Sequence, residues 1–154
     1  RTGRMNVLVD TNILLRSLQS PHPLQQMAIE AIAQLRTRDY GICLVPQVIY
    51  EFWVVATRPI EVNGLGFPPD ELHNEIADLK ERFIFLNDKP TLFTEWERLV
   101  QKFQVRGKAA HDARLVASMI THGLKHLLTF NAADFSRYPG LVTLSPEQLV
   151  SSGQ

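Results

Sequence analysis

The chain has 154 residues, 45% of them hydrophobic and 21% charged, with 16 basic against 16 acidic side chains and a formal net charge of zero. That length accommodates one core but not two comfortable domains, the balanced charge carries no nucleic-acid footprint by itself, and no run approaches the about 18 uninterrupted apolar residues of a membrane helix. The one cysteine, Cys43, lies in the apolar run Ile42-Cys43-Leu44-Val45, which excludes an internal disulfide and favours a reduced, cytoplasmic setting with the thiol simply packed.

Arg1-Thr2-Gly3-Arg4 precede Met5 without an apolar stretch, so they read as a vector remnant or natural extension and not as a secretory signal. A single domain is expected over residues 5–150. Short apolar runs then alternate with segments of helical period, the pattern of an α/β fold whose parallel sheet is flanked by helices. Strands are expected at Asn6–Val9, Ile42–Val45, Ile84–Leu86, His126–Leu128 and, at an edge, Leu141–Thr143. Between them, Leu24 to Arg38 carries a stripe of Leu24, Met27, Ala28, Ala31, Ile32 and Leu35. Further helices are expected at Pro46–Thr57, opened by its proline, and at Pro69–Arg82, Thr91–Phe103 and Lys108–His122. A short helical turn at Asn131–Phe135 and a last helix capped by Ser145 complete the set. The segment from Arg58 to Pro69, with three prolines and two glycines, is the longest loop signal: an exposed connector, or a cover over a groove. Trp53, Trp96 and the phenylalanines fall at helical spacing beside other apolar residues, which assigns them to the core.

Four acids interrupt this pattern. Asp10 ends the first strand in Val7-Leu8-Val9-Asp10-Thr11-Asn12, at the sheet edge where open parallel sheets bind ligands. Thr11 and Asn12 suit a helix start or a hydrogen bond to the acid, and a plain N-cap role for Asp10 competes with a ligand role. Glu51 lies on the apolar face of its helix, spaced from Val48, Val54 and Val55, and needs either a cation or an ion pair with an arginine such as Arg16 or Arg114. Asp112 falls in the first turn of its helix, where the dipole favours a carboxylate. Asp134 follows the strand His126–Leu128, where an Asx turn is the rival account. Together the four share one edge of one sheet, and repulsion among them would be severe without cations. An all-oxygen set favours Mg²⁺ or Mn²⁺, and no histidine–cysteine spacing offers zinc a site. With these four neutralised, 16 − 12 leaves a net +4, a basic rim around an acidic centre.

Other chemistries fit less well. An aspartyl-phosphate enzyme wants an acid two residues after the first, where this chain has Asn12, and no G-x-G-x-x-G follows the first strand for a dinucleotide. A His…His-Asp…Asp phosphohydrolase would need an all-helical scaffold.

The chain resembles the PIN domain, and within it the VapC-type toxins of toxin–antitoxin pairs, from Met5 to about Val150. Val7-Leu8-Val9-Asp10-Thr11-Asn12 resembles the family's opening strand and first acid, Gln47-Val48-Ile49-Tyr50-Glu51-Phe52 its second, and Ala109-Ala110-His111-Asp112-Ala113 its third. The stretch from Leu127 to Phe135 resembles the closing block, with Asn131 where relatives often carry an acid, so that either Asn131 or Asp134 stands nearer the metal. The resemblance implies a Rossmann-like, Mg²⁺- or Mn²⁺-dependent ribonuclease, commonly a homodimer, held in check by an antitoxin protein. It implies Asp10, Glu51, Asp112 and Asp134 as catalytic metal ligands, with Thr129 and Asn131 steadying them. Lys102, Arg106 and Lys108, with Arg16 and Arg114, become candidates for RNA phosphates. The alternative is a PIN-like module that binds RNA or protein without cutting.

Overall fold

A computed structural model describes residues 4–152, so the first three residues of the expected extension lie outside it. The chain runs β1 (Asn6–Val9), α1 (Thr11–Leu18), α2 (Gln25–Thr37), β2 (Gly41–Leu44), α3 (Pro46–Thr57), α4 (Pro69–Arg82), β3 (Ile84–Phe85), α5 (Leu92–Lys102), α6 (Ala109–Thr121), β4 (His126–Leu128), β5 (Val142–Leu144) and α7 (Pro146–Ser152). Two 3-10 turns, Ile60–Val62 and Ala132–Phe135, sit in the connections.

The strands form one parallel sheet in the order β3-β2-β1-β4-β5. Parallel neighbours require crossover connections, and these are the helices that cover the sheet. β1 is central and apolar on both faces, so Val7, Leu8 and Val9 are fully buried. The chain first builds outward from β1 through β2 to β3, then returns to place β4 on the other side of β1. Connections therefore diverge between β1 and β4, and a crevice opens at their carboxyl ends.

Two glycines fix close approaches. At the start of the β1–β2 ladder Asn6 faces Gly41, and a Cβ there would lie 2.1 Å from Asn6 Oδ1. β2 thus begins at the glycine, one residue before the expected apolar run, because its pairing with β1 starts at Asn6. The long connector after α3 is not a cover: its backbone folds back on the end of that helix, with Leu65, Gly66 and Phe67 N–H groups bonded to the carbonyls of Val55, Arg58 and Ala56 at 2.9–3.2 Å. Gly64 is buried in that fold-back, and a Cβ would lie 1.8 Å from the Arg58 carbonyl oxygen. Gly64→Ala is expected to destabilise by about 1–3 kcal/mol through this clash. Thermal denaturation checks it, and an unchanged melting temperature would refute the clash.

Cys43 is buried in β2, and burial pushes its thiol up to about 11, so it packs as an inert apolar residue. Phe52, Phe83 and Phe135 join the core as expected, while Phe93 does not: it is 64% exposed on α5, leaning on Trp96 at a ring-centroid distance of 5.7 Å. Helical spacing alone placed it inside, but it follows Leu92 and falls on the outer side of a helix that buries Leu92 and Leu99. Arg4 is exposed, with Nη2 3.5 Å from the Tyr40 carbonyl oxygen.

Candidate active site

Asp10 leaves β1 exactly where the crevice opens, its N–H still bonded to the Leu128 carbonyl of β4 at 3.0 Å. It caps α1: Oδ1 accepts from the Thr11 N–H at 2.7 Å. Its other oxygen accepts from the Thr129 hydroxyl at 2.8 Å, across from the end of β4. Asp10 is thus a cap and also something more, since a cap needs no second strand. Burial, opposed by the bonds from Thr129 and Thr11, raises its pKa, and the charges of Glu51 and Asp134 raise it further.

Thr129 is fully buried, and its hydroxyl is fully used: it donates to Asp10 and accepts from the Asn131 N–H at 3.0 Å and Asn12 Nδ2 at 3.4 Å. Asn12 Oδ1 accepts from the Phe130 N–H at 3.3 Å, which ties the start of α1 to the segment after β4. Asn131 enters through its backbone N–H. Thr129→Val keeps the shape and removes the hydroxyl, and it is expected to lower activity about 10- to 100-fold by freeing the Asp10 carboxylate. A rate assay on the folded variant measures this; a wild-type rate would remove Thr129 from the site.

Glu51 is half-buried on α3, and among the described residues no arginine pairs with it. Its Oε1 accepts from the Thr11 hydroxyl at 3.0 Å and its Oε2 from Gln47 Nε2 at 3.3 Å. Of the two alternatives left open by the sequence, a cation or an ion pair with an arginine, the ion pair is not formed, and neutral donors hold the carboxylate. Arg16 instead donates to Gln19 Oε1 at 2.6 Å, and Arg114 pairs with Asp88 at 3.3 Å. Sequence reasoning missed Gln47; its position one turn before Glu51 was the available signal.

Asp112 lies in the first turn of α6, whose start is anchored twice: Gln47 Nε2 donates to the His111 carbonyl at 2.8 Å, and Trp96 Nε1 to the Ala110 carbonyl at 2.9 Å. Burial pushes the Asp112 carboxyl up to about 6, helped by the charges of Asp134, Asp10 and Glu51 and opposed by His111. Asp134 is exposed in the 3-10 turn after β4, at the rim of the same crevice. The four acids therefore sense one another, and among the described residues no ion pair reaches any of them.

Such a set suits a hard divalent cation: oxygen donors only, mutual repulsion, and no built-in counter-charge. Among the described residues no three His, Cys, Asp or Glu side chains already stand at chelating spacing.

Lys102, Arg106 and Lys108 are exposed around the connection from α5 to α6, immediately before the Asp112 turn; Lys102 also lies over the Phe103 ring at 5.5 Å. Among the described residues no helix is long and apolar enough to cross a membrane.

The family model described as the PIN domain matches residues 7–141. Among solved structures, VapBC-1 from nontypeable Haemophilus influenzae aligns with a TM-score of 0.69 at 15% identity, covering 93% of this chain and 99% of that one. A toxin–antitoxin complex from Klebsiella pneumoniae aligns at 0.60 with 24% identity, over 91% and 97% of the two chains. VapC20 of Mycobacterium tuberculosis, a sarcin-ricin loop cleaving toxin, aligns at 0.61 with 15% identity, over 85% and 94%. At these identities the likeness is one of fold. No curated protein sequence matches.

Proposed function

The chain belongs to the PIN domain family, and from that footing we propose that it is a metal-dependent ribonuclease of the VapC type, the toxin of a toxin–antitoxin pair acting in the cytoplasm. One observation carries the reading: Asp10 and Asp112 are each buried within reach of the charges of Glu51 and Asp134, which add to the cost of ionising them, and among the described residues no lysine or arginine pairs with any of the four. A structural role would pair such acids with arginine or lysine.

A divalent Mg²⁺ or Mn²⁺ ion held by these four would supply Lewis-acid chemistry, lowering the pKa of water and offsetting charge on a phosphodiester. The protein's own part is placement. Thr11 fixes both leading acids, donating its N–H to Asp10 and its hydroxyl to Glu51, while Thr129, just past the end of β4, and Asn12, in the first turn of α1, hold the other Asp10 oxygen. Asp134 closes the rim, and its charge, felt by Asp10 and Asp112, favours it over Asn131 as the fourth ligand. Lys102, Arg106 and Lys108, exposed around the connection that leads into α6, are the candidates for RNA phosphates, with Arg16 and Arg114 beside them as further candidates. The fold shared with toxin–antitoxin complexes supports an antitoxin protein as partner, and the family resemblance adds a homodimer to the proposal.

The test is to express the chain alone and with the protein encoded beside its gene, then map the RNA ends formed. Growth arrest relieved by the neighbour, with new 5′-phosphate and 3′-hydroxyl ends that need Mg²⁺ or Mn²⁺, is the expected result. Unaltered growth and RNA with Mn²⁺ supplied would overturn the assignment in favour of a module that binds without cutting.

A further inference from the structure

Gln47 is 4% exposed and precedes Glu51 by one turn of α3. Its amide nitrogen serves two acceptors, Glu51 Oε2 at 3.3 Å and the His111 carbonyl at 2.8 Å. A carboxylate and a carbonyl can only accept, so the amide must turn its nitrogen towards them, and both N–H groups are used. The amide oxygen is left buried with no hydrogen-bond partner among the described residues. An unsatisfied buried acceptor is unfavourable, and an apolar side chain of the same length would avoid it. Packing alone therefore does not account for a glutamine here.

What the amide achieves is a tie between two helices at the point where their acids oppose each other. His111 immediately precedes Asp112, and Glu51 and Asp112 are close enough to repel. Among the described residues no other side-chain hydrogen bond joins α3 to the first turn of α6. We infer that Gln47 is a positioning residue: by bonding the Glu51 carboxylate and the start of α6 at once, it sets the gap between Glu51 and Asp112 and so prepares both for a divalent cation it does not itself touch. The inference rests on the reading of the four acids as a cation site. It adds that the affinity of that site depends on a neutral amide outside the acid set.

The experiment is calorimetric titration of the full chain with Mn²⁺ alone, for wild type, Gln47→Met and Gln47→Ala, beside thermal melts without metal. Loss of a residue that orients ligands is expected to weaken Mn²⁺ binding about 10- to 100-fold in both variants. The metal-free melting temperature of Gln47→Met should stay close to that of wild type, because the same substitution removes the stranded oxygen. A merely structural glutamine would show the reverse, a lowered melting temperature with unchanged affinity. Mn²⁺ binding within twofold of wild type in either folded variant overturns the inference, and so does failure of both variants to fold. A wild-type chain that binds no Mn²⁺ would instead remove the cation site itself, a distinct outcome from failure at Gln47.

Discussion

Replacing Asp10 with asparagine is expected to reduce RNA cleavage by at least about a hundredfold while the chain still folds. The loss should exceed that of a residue that merely orients a ligand, for which about 10- to 100-fold is usual. The fold should survive because asparagine caps helices as well as aspartate does and can keep the acceptor for the Thr11 N–H. What changes is charge and one face of the side chain: an amide nitrogen would meet the Thr129 hydroxyl, which already accepts from Asn131 and Asn12. Burial penalises the ionised Asp10, so removing the charge also relieves a cost of folding. Cleavage and melting should therefore part company, activity falling while stability holds or rises. The control is Glu147→Gln on α7, an exposed acid outside the set of four that should cleave as wild type. Cleavage by Asp10→Asn within a few-fold of wild type would remove this carboxylate from the chemistry.

The second large effect is on stability. Asp112 is raised from 3.8 to about 6 in the folded chain, first by burial and then by Asp134, Asp10 and Glu51. The sign follows from proton binding. Between those two values the folded state holds more protons than the unfolded one, so this group's contribution falls as pH rises through the window and its full penalty applies above it. Asp112→Asn should abolish that penalty. Because the side chain is half-exposed, solvent screening reduces the gain to roughly 1–2 kcal/mol at pH 7.5, which for a chain of this size is a rise of several degrees in melting temperature. The difference between variant and wild type should vanish only below about pH 3, where Asp112 is protonated in the folded and the unfolded chain alike. Mn²⁺ should then raise the wild-type melting temperature and leave the variant unmoved, since only a native state that binds the ion gains from it. A variant less stable than wild type at pH 7.5 would mean that Asp112 holds the fold together and is no liability to it.

Much of this was legible before the coordinates. β1 and β4 could be read residue for residue because a strand buried on both faces must be apolar throughout, and the four acids stood out against that background. α1 was legible only as a start signal at Thr11 and Asn12: eight residues following a strand without a linker carry too few turns to establish a period. β5 runs from Val142, one residue later than its composition marks, because pairing with β4 sets its register. Composition cannot show pairing. In the site, the acids were visible and their supports were not. Glu51 read as needing a cation or an arginine because a half-buried acid must be satisfied, yet its hydrogen bonds come from Thr11, forty positions away in sequence, and from Gln47, whose second bond crosses to another helix. Donors of that kind leave no periodic trace, because they are chosen by tertiary contact.

The spectrum of Mn²⁺ by electron paramagnetic resonance, recorded as the ion is added to the metal-free chain, reports directly on whether these carboxylates make one cation site. Wild type should capture the ion saturably, and Asp10→Asn and Asp112→Asn should each leave most of it free in solution. Manganese that stays free with wild type, or is captured equally by both variants, would contradict the account at its root.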